Sequence, residues 1–193
     1  MKKVIFAIIF ATTLLLTGCM SLSSYDKEYL MAAPISPVDN GCWESTYWSD
    51  GFGGNDYSDP CVIGRFKGTF SNSATYGSPC KVLVYVDKDG KISFGFWEYE
   101  SEYPAYFLSN SKATITIKAG GEIDKLDSLS QCYSNRVSFF NKAGMVRLYE
   151  AMVNNQTIEL RVSVNSGVVS TYNCTIDTSG FVEACQKSFK DLW

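Results

Sequence analysis

Histidine is absent from all 193 residues. That excludes a Ser-His-Asp or Cys-His nucleophile arrangement and any imidazole-ligated metal. Proline is scarce, at five residues, while Phe, Trp and Tyr make up 15% of the chain, the composition of a folded, aromatic-rich domain rather than of a disordered polymer. Basic runs are missing as well. The formal net charge is −3, from 17 basic and 20 acidic residues, and a mildly acidic chain without a cationic run is a poor partner for nucleic acid or for an anionic membrane surface. The seven cysteines include no Cys-x-x-Cys, so a zinc site would need four thiolates at unusual spacings. No cofactor and no metal are expected.

What is present begins at the amino terminus. Lys2 and Lys3 form a positive head, and Val4 to Leu16 form an apolar run too short to span a bilayer as a permanent helix. The run ends in Leu16-Thr17-Gly18-Cys19. This ending resembles the lipobox of bacterial lipoproteins. The resemblance implies cleavage before Cys19, diacylation of its thiol (the palmitate-type anchor of such proteins) and acylation of the new amino terminus. Several acyl chains hold firmly, because each buried methylene contributes about 0.8 kcal/mol and one chain alone binds only marginally. In the enterobacterial sorting rule of this class, an aspartate after the cysteine retains the protein in the inner membrane. Met20 stands there instead, so the resemblance implies a lipid anchor in the outer membrane, in its periplasmic leaflet or at the cell surface.

Three regions follow: a signal peptide at 1–18, the lipidated cysteine with a flexible tether at 19–40, and a disulfide-containing β-rich domain at 41–193. The tether is rich in serine, alanine and proline, and about twenty stretched residues reach some 65 Å at roughly 3.3 Å each. With Cys19 given to lipid, Cys42, Cys61, Cys80, Cys132, Cys174 and Cys185 remain. An even number in an exported chain predicts three disulfides, which six cysteines can form in about fifteen ways. Cys185 would staple the terminal helix, with Cys174 or Cys132 as its partner.

Residues 41–79 are dense in glycine, aspartate, asparagine and aromatics and read as loops and short strands. Beyond them the periodicity sharpens. Cys80 to Val86 and Lys91 to Tyr99 read as strands joined by an Asp87-Lys88-Asp89-Gly90 hairpin turn. Lys112 to Lys118 alternates and ends at Gly120-Gly121, and Arg136 to Phe140 reads as a further strand. Asn141 to Asn154 shifts to a helical period with Asn141 as cap. Thr157 to Val164 and Val168 to Asp177 read as strands around an Asn165-Ser166-Gly167 turn, and a last helix spans Ser179 to Leu192. The fold class expected is α+β, mainly β: an antiparallel β-sandwich or partly closed barrel with two short helices. The strand-helix-strand-strand-helix layout from Arg136 to Leu192, with its Gly180-Phe181 step, resembles the invasion-associated locus B family and related periplasmic β-sandwich proteins. That resemblance implies a sandwich and brings no catalytic residues with it.

Two constellations offer chemistry. Glu98, Glu100 and Glu102 alternate with aromatics and fall on one strand face about 6.6 Å apart, near the carboxyl separation of inverting glycosidases. The same alternation also describes a charged strand edge that deters pairing. Ser109-Asn110-Ser111-Lys112 matches S-x-x-K, but its serine should open a helix and here strand follows, with no S-D-N or K-T-G element in support. Trp43, Trp48, Phe52 and Tyr57, beside Asp50, Asn55, Asp56 and Asp59, could form an aromatic platform for sugar rings or a protein hot spot, or could fill the core of a loop-rich region. The expectation is a non-catalytic envelope lipoprotein binding a protein or glycan partner. Cell-wall glycan hydrolysis by the glutamates and lysozyme inhibition are the alternatives.

Overall fold

Alternation decides which face of each strand is buried. In β9 (Ile158–Asn165) Ile158, Leu160, Val162 and Val164 turn inward while Glu159, Arg161 and Asn165 face solvent. In β6 (Lys112–Ala119) Ala113, Ile115 and Ile117 do the same between lysines and threonines, the pattern of a sheet with one wet face. The structure, a computed structural model, describes residues 41–49, 54–99, 103–108, 111–129, 136–138 and 142–190. The signal, Cys19, the tether, Phe52, Glu100, Glu102, Ser109, Cys132 and Asn141 lie outside those residues.

The other elements are β1 (Cys42–Ser49), β2 (Asn55–Ser71), β3 (Ser78–Asp87), β4 (Ile92–Glu98), β5 (Tyr103–Pro104), β7 (Glu122–Leu129), β8 (Arg136–Ser138), β10 (Val169–Ile176), α1 (Lys142–Val153) and α2 (Phe181–Ser188). All strand pairings are antiparallel and belong to one sheet, in the order β5-β4-β3-β2-β10-β9-β6-β7, with β1 also on β2 and β8 also on β4. The mainly antiparallel β character and the two helices match the sequence reading, but the strands form a single open sheet rather than two separate ones. One edge of β2 is shared. Its first part pairs with β1, up to Cys42 opposite Arg65, and its last part with β10, from Cys174 opposite Gly68.

Residues 55–71 are the largest departure from the sequence reading. Where loops and short strands are expected, β2 runs for 17 residues. Its glycines punctuate nothing: a Cβ on Gly64 would lie 2.6 Å from the Phe66 ring and 2.8 Å from the Trp43 ring. Glycine is there because aromatic rings cross the backbone at that point. Gly120 and Gly121, by contrast, are turn residues, with φ of +57° and +88°. They join β6 to β7 as a two-residue hairpin loop, so the pair that the sequence reads as a strand end also starts a strand.

The sheet is strongly curled. Tyr172 of β10 stacks on Phe96 of β4 at 4.3 Å, and its hydroxyl donates to Glu98 Oε1 at 2.8 Å. In a flat sheet β10 and β4, with β2 and β3 between them, would be about 14 Å apart. Burial, and then the Glu98 carboxylate, push the Tyr172 phenol well above its ordinary range. α2 closes one end, packing on β1 and β2 and turning Phe181, Ala184 and Cys185 inward. Tyr149 of α1 meets Phe181 edge-on at 5.6 Å. Among the described residues no helix is long and apolar enough to cross a membrane.

The five described cysteines, Cys42, Cys61, Cys80, Cys174 and Cys185, are free thiols. The disulfide staple is thus not part of the architecture seen. Cys80 and Cys174 converge on the same residue from its two sides. Both are in register with Gly68, and a Cβ on Gly68 would lie 3.0 Å from Cys174 Cβ and 3.3 Å from Cys80 Sγ.

Candidate functional site: the outer face of the first strands

Strand alternation gives β1 to β4 two apolar faces. The inner face carries Val62, Phe66, Phe70, Val82, Val84, Val86, Phe94 and Phe96 into the main core. The outer face carries a second cluster of Cys61, Ile63, Leu83 and Tyr85, with Trp48 and Trp97 packed against it. On β6, β9 and β10 the outward positions are mostly polar, among them Thr116, Lys118, Glu159, Arg161, Asn173 and Thr175, with Val169 at the start of β10 as an apolar one. The outer aromatic layer is therefore confined to one part of the sheet.

Register builds this layer. Tyr85 of β3 lies opposite Ser93 of β4, and Leu83 opposite Gly95. Gly95 is in turn opposite Arg136 of β8. A Cβ on Gly95 would sit 2.8 Å from the Trp97 ring and 3.0 Å from the Tyr85 ring, so the missing side chain lets two rings lie flat on the strand. Trp48 stacks on Tyr85 at 5.3 Å with the planes 23° apart. The Arg136 guanidinium carbon is 4.2 Å from the Tyr85 ring centre and 4.7 Å from that of Trp48. Such cation–π contacts contribute roughly 0.5–2 kcal/mol, more as they are desolvated.

This face buries several titratable groups. Tyr85 is 2% exposed, and its hydroxyl donates to no acceptor among the described residues. Arg136 is close enough for its charge to oppose the upward push of burial on that phenol. The same guanidinium favours the phenol oxygen as a hydrogen-bond donor, which leaves the hydroxyl proton without an acceptor among the described residues. Burial first, then Asp59, push the Cys61 thiol up to about 12, with Arg136 pulling the other way. Lys81 lies between Lys67 and Trp97 in register and is 6% exposed. Burial, helped by Arg65, holds it below the usual lysine range. Arg65 itself is ion-paired with Glu44.

The structure divides the four aromatics that the sequence groups together. Trp43 is a core residue: its indole N–H donates to Asp177 O at 2.8 Å, and its ring meets Phe181 at 4.8 Å and Phe66 at 5.4 Å. Trp48 joins the outer face. Tyr57 is 74% exposed and meets Tyr47 edge-on at 5.0 Å. Of the glutamate series, Glu98 is described: it turns inward to Tyr172, and the strand ends there, with Tyr99 at φ +51°. Tyr85, Trp97 and Arg136 escape the sequence reading. Their signal is the unbroken apolar run Val82-Leu83-Val84-Tyr85-Val86, which marks a strand covered on both faces. No family model matches this chain, and no match to a curated protein or to a solved structure is found.

Proposed function

We propose that this chain is a lipid-anchored envelope protein, held in the outer membrane through Cys19, whose β-rich domain binds a protein or glycan partner without catalysis. The observation that carries the reading is the outer face of β1 to β4. Trp48, Tyr85 and Trp97 are concentrated there beside Arg136, while the outward face of the neighbouring strands is mostly polar. Two half-buried tryptophans beside a guanidinium and a buried tyrosine are the composition of binding hot spots. The disulfide-stapled character belongs to the same reading. Cys80 and Cys174 are the described thiols that geometry brings together, and an exported chain meets oxidising conditions.

In-cell crosslinking tests the reading. Wild type should yield a saturable adduct with an envelope partner. Trp48→Ala should lose it while keeping the wild-type circular dichroism and Tm within a few degrees, and Tyr76→Ala, altering a residue 95% exposed in the β2–β3 turn, should keep it. Equal adducts from wild type and Trp48→Ala would remove the outer face from the account.

A further inference from the structure

Among the described residues, the outer face has a buried hydroxyl proton without an acceptor, that of Tyr85, and a guanidinium without a carboxylate, that of Arg136. The carboxylates that influence the neighbouring Cys61 thiol are Asp59 and Asp87, and both are engaged elsewhere. Asp59 pairs with Lys88 at 3.3 Å. Asp87 accepts the N–H groups of Asp89 at 2.9 Å and Lys91 at 2.8 Å within its own turn. A buried hydroxyl proton left unpaired is costly to the free protein, and native structures keep few such groups without a reason. Here the hydroxyl, the guanidinium and the Trp48 ring meet at one corner. A planar anion suits the guanidinium fork. A ring-shaped body suits the aromatic faces.

We propose that this corner receives an acidic sugar, its carboxylate on Arg136 and Tyr85 and its ring face on Trp48. The inference rests on the binding reading above and supplies its ligand class. The chain as a whole is acidic, so the attraction comes from this corner and from Lys81 on the same face, not from the general charge.

Titration of the full lipidated chain in detergent, followed by tryptophan fluorescence and calorimetry, tests it. The probes are oligogalacturonate, neutral chitin oligosaccharide and poly-glutamate. Oligogalacturonate should bind at least tenfold more tightly than the other two. Arg136→Gln should lose at least tenfold in affinity and Arg136→Lys less. Tyr85→Phe carries the sharper readout: affinity should fall about fivefold while Tm rises by about 2–4 °C, because the variant no longer buries an unpaired hydroxyl proton. A purely structural tyrosine would not separate the two. Equal binding of neutral and acidic sugars, tighter binding of poly-glutamate, or unchanged affinity in Tyr85→Phe would each overturn the inference. If no acidic sugar binds but the Trp48-dependent crosslink persists, the ligand class falls and the binding reading stands. If that crosslink is absent too, both fall.

Discussion

Asp87 closes the turn between β3 and β4 with its carboxylate partly withdrawn from water. Oδ1 accepts two backbone N–H groups, which favours the charged form. Burial acts more strongly in the other direction, and the carboxyl is pushed from 3.8 up to about 6. The native state therefore holds this proton more tightly than the unfolded chain. Between pH 4 and 6 folding takes up a proton, so the contribution is fully present below about pH 4 and is lost as pH rises through 6. It is bounded by about 3 kcal/mol, from 1.36 kcal/mol per unit. Asp87→Asn keeps the Oδ1 acceptor and removes the charge. It should raise stability at pH 7 by about 1–2 kcal/mol and flatten the dependence between pH 4 and 6. Urea denaturation at pH 4.5 and 7.0 reads this directly, and an unchanged slope in the variant would remove Asp87 as its source.

At the scale of elements, the join of β10 to β2 beside Gly68 is the most constrained. A Cβ there would lie 2.4 Å from Asn173 O and 3.0 Å from Cys174 Cβ, against about 4.5–5.5 Å between Cβ atoms of ordinary neighbouring strands. The sheet folds sharply at this point, which brings Cys80 and Cys174 nearer than two flat strand spacings of about 9.6 Å would allow. Bridging them takes two protons and two electrons from the thiols, passed to an incoming disulfide that leaves as two thiols. Burial pushes Cys80 up to about 12 and Cys174 further above the thiol range, so exchange belongs to the folding chain and not to the folded one. Refolding in glutathione disulfide should give a Cys80–Cys174 cross-linked peptide by mass spectrometry. Cys174→Ser should abolish it and cost about 2–4 kcal/mol under oxidising conditions only. Two alkylatable thiols after oxidative refolding would exclude the bridge.

The same elements show what the sequence makes legible. The hairpin at Asp87–Gly90, the clean alternation of Lys112–Lys118 and the helical period of 141–154 are local patterns, and each forms close to where it is expected. β2 is not legible in this way, because Gly64 and Gly68 have the composition of turns but answer to Trp43, Phe66 and Cys174, contacts made only once the chain is folded. The site is legible in part. Trp48 is a candidate from sequence, but the residues it meets come from β3 and β8, 37 and 88 positions away in the chain. Trp43, five residues before it, is drawn into the core by α2 and the end of β10.

At the scale of the molecule, the sheet is asymmetric: its inner face is one continuous core, while its outer face is aromatic over β1 to β4 and mostly polar over β6, β9 and β10. A binding surface of this kind works at a membrane only if the domain stands clear of the bilayer, and the proposed tether of 19–40 supplies that distance. The anchor and the surface are then separable functions of one chain. Cys19→Ser should leave the β-rich domain folded with its thermal transition unchanged, because the core of the described sheet is built from residues 43–189. The protein should move from the membrane fraction to the soluble envelope fraction, since loss of three acyl chains removes far more than the marginal hold of one. If Trp48 and Arg136 carry recognition, the released variant should still bind its partner in solution. Its crosslinking in cells should fall nonetheless, because a partner confined to the same membrane is no longer held at a high effective concentration. Fractionation with partner titration separates these cases. A Cys19→Ser protein that remains in the membrane fraction would defeat the lipid anchor, and one that leaves the membrane and also fails to bind would show that recognition requires the bilayer and not the outer face alone.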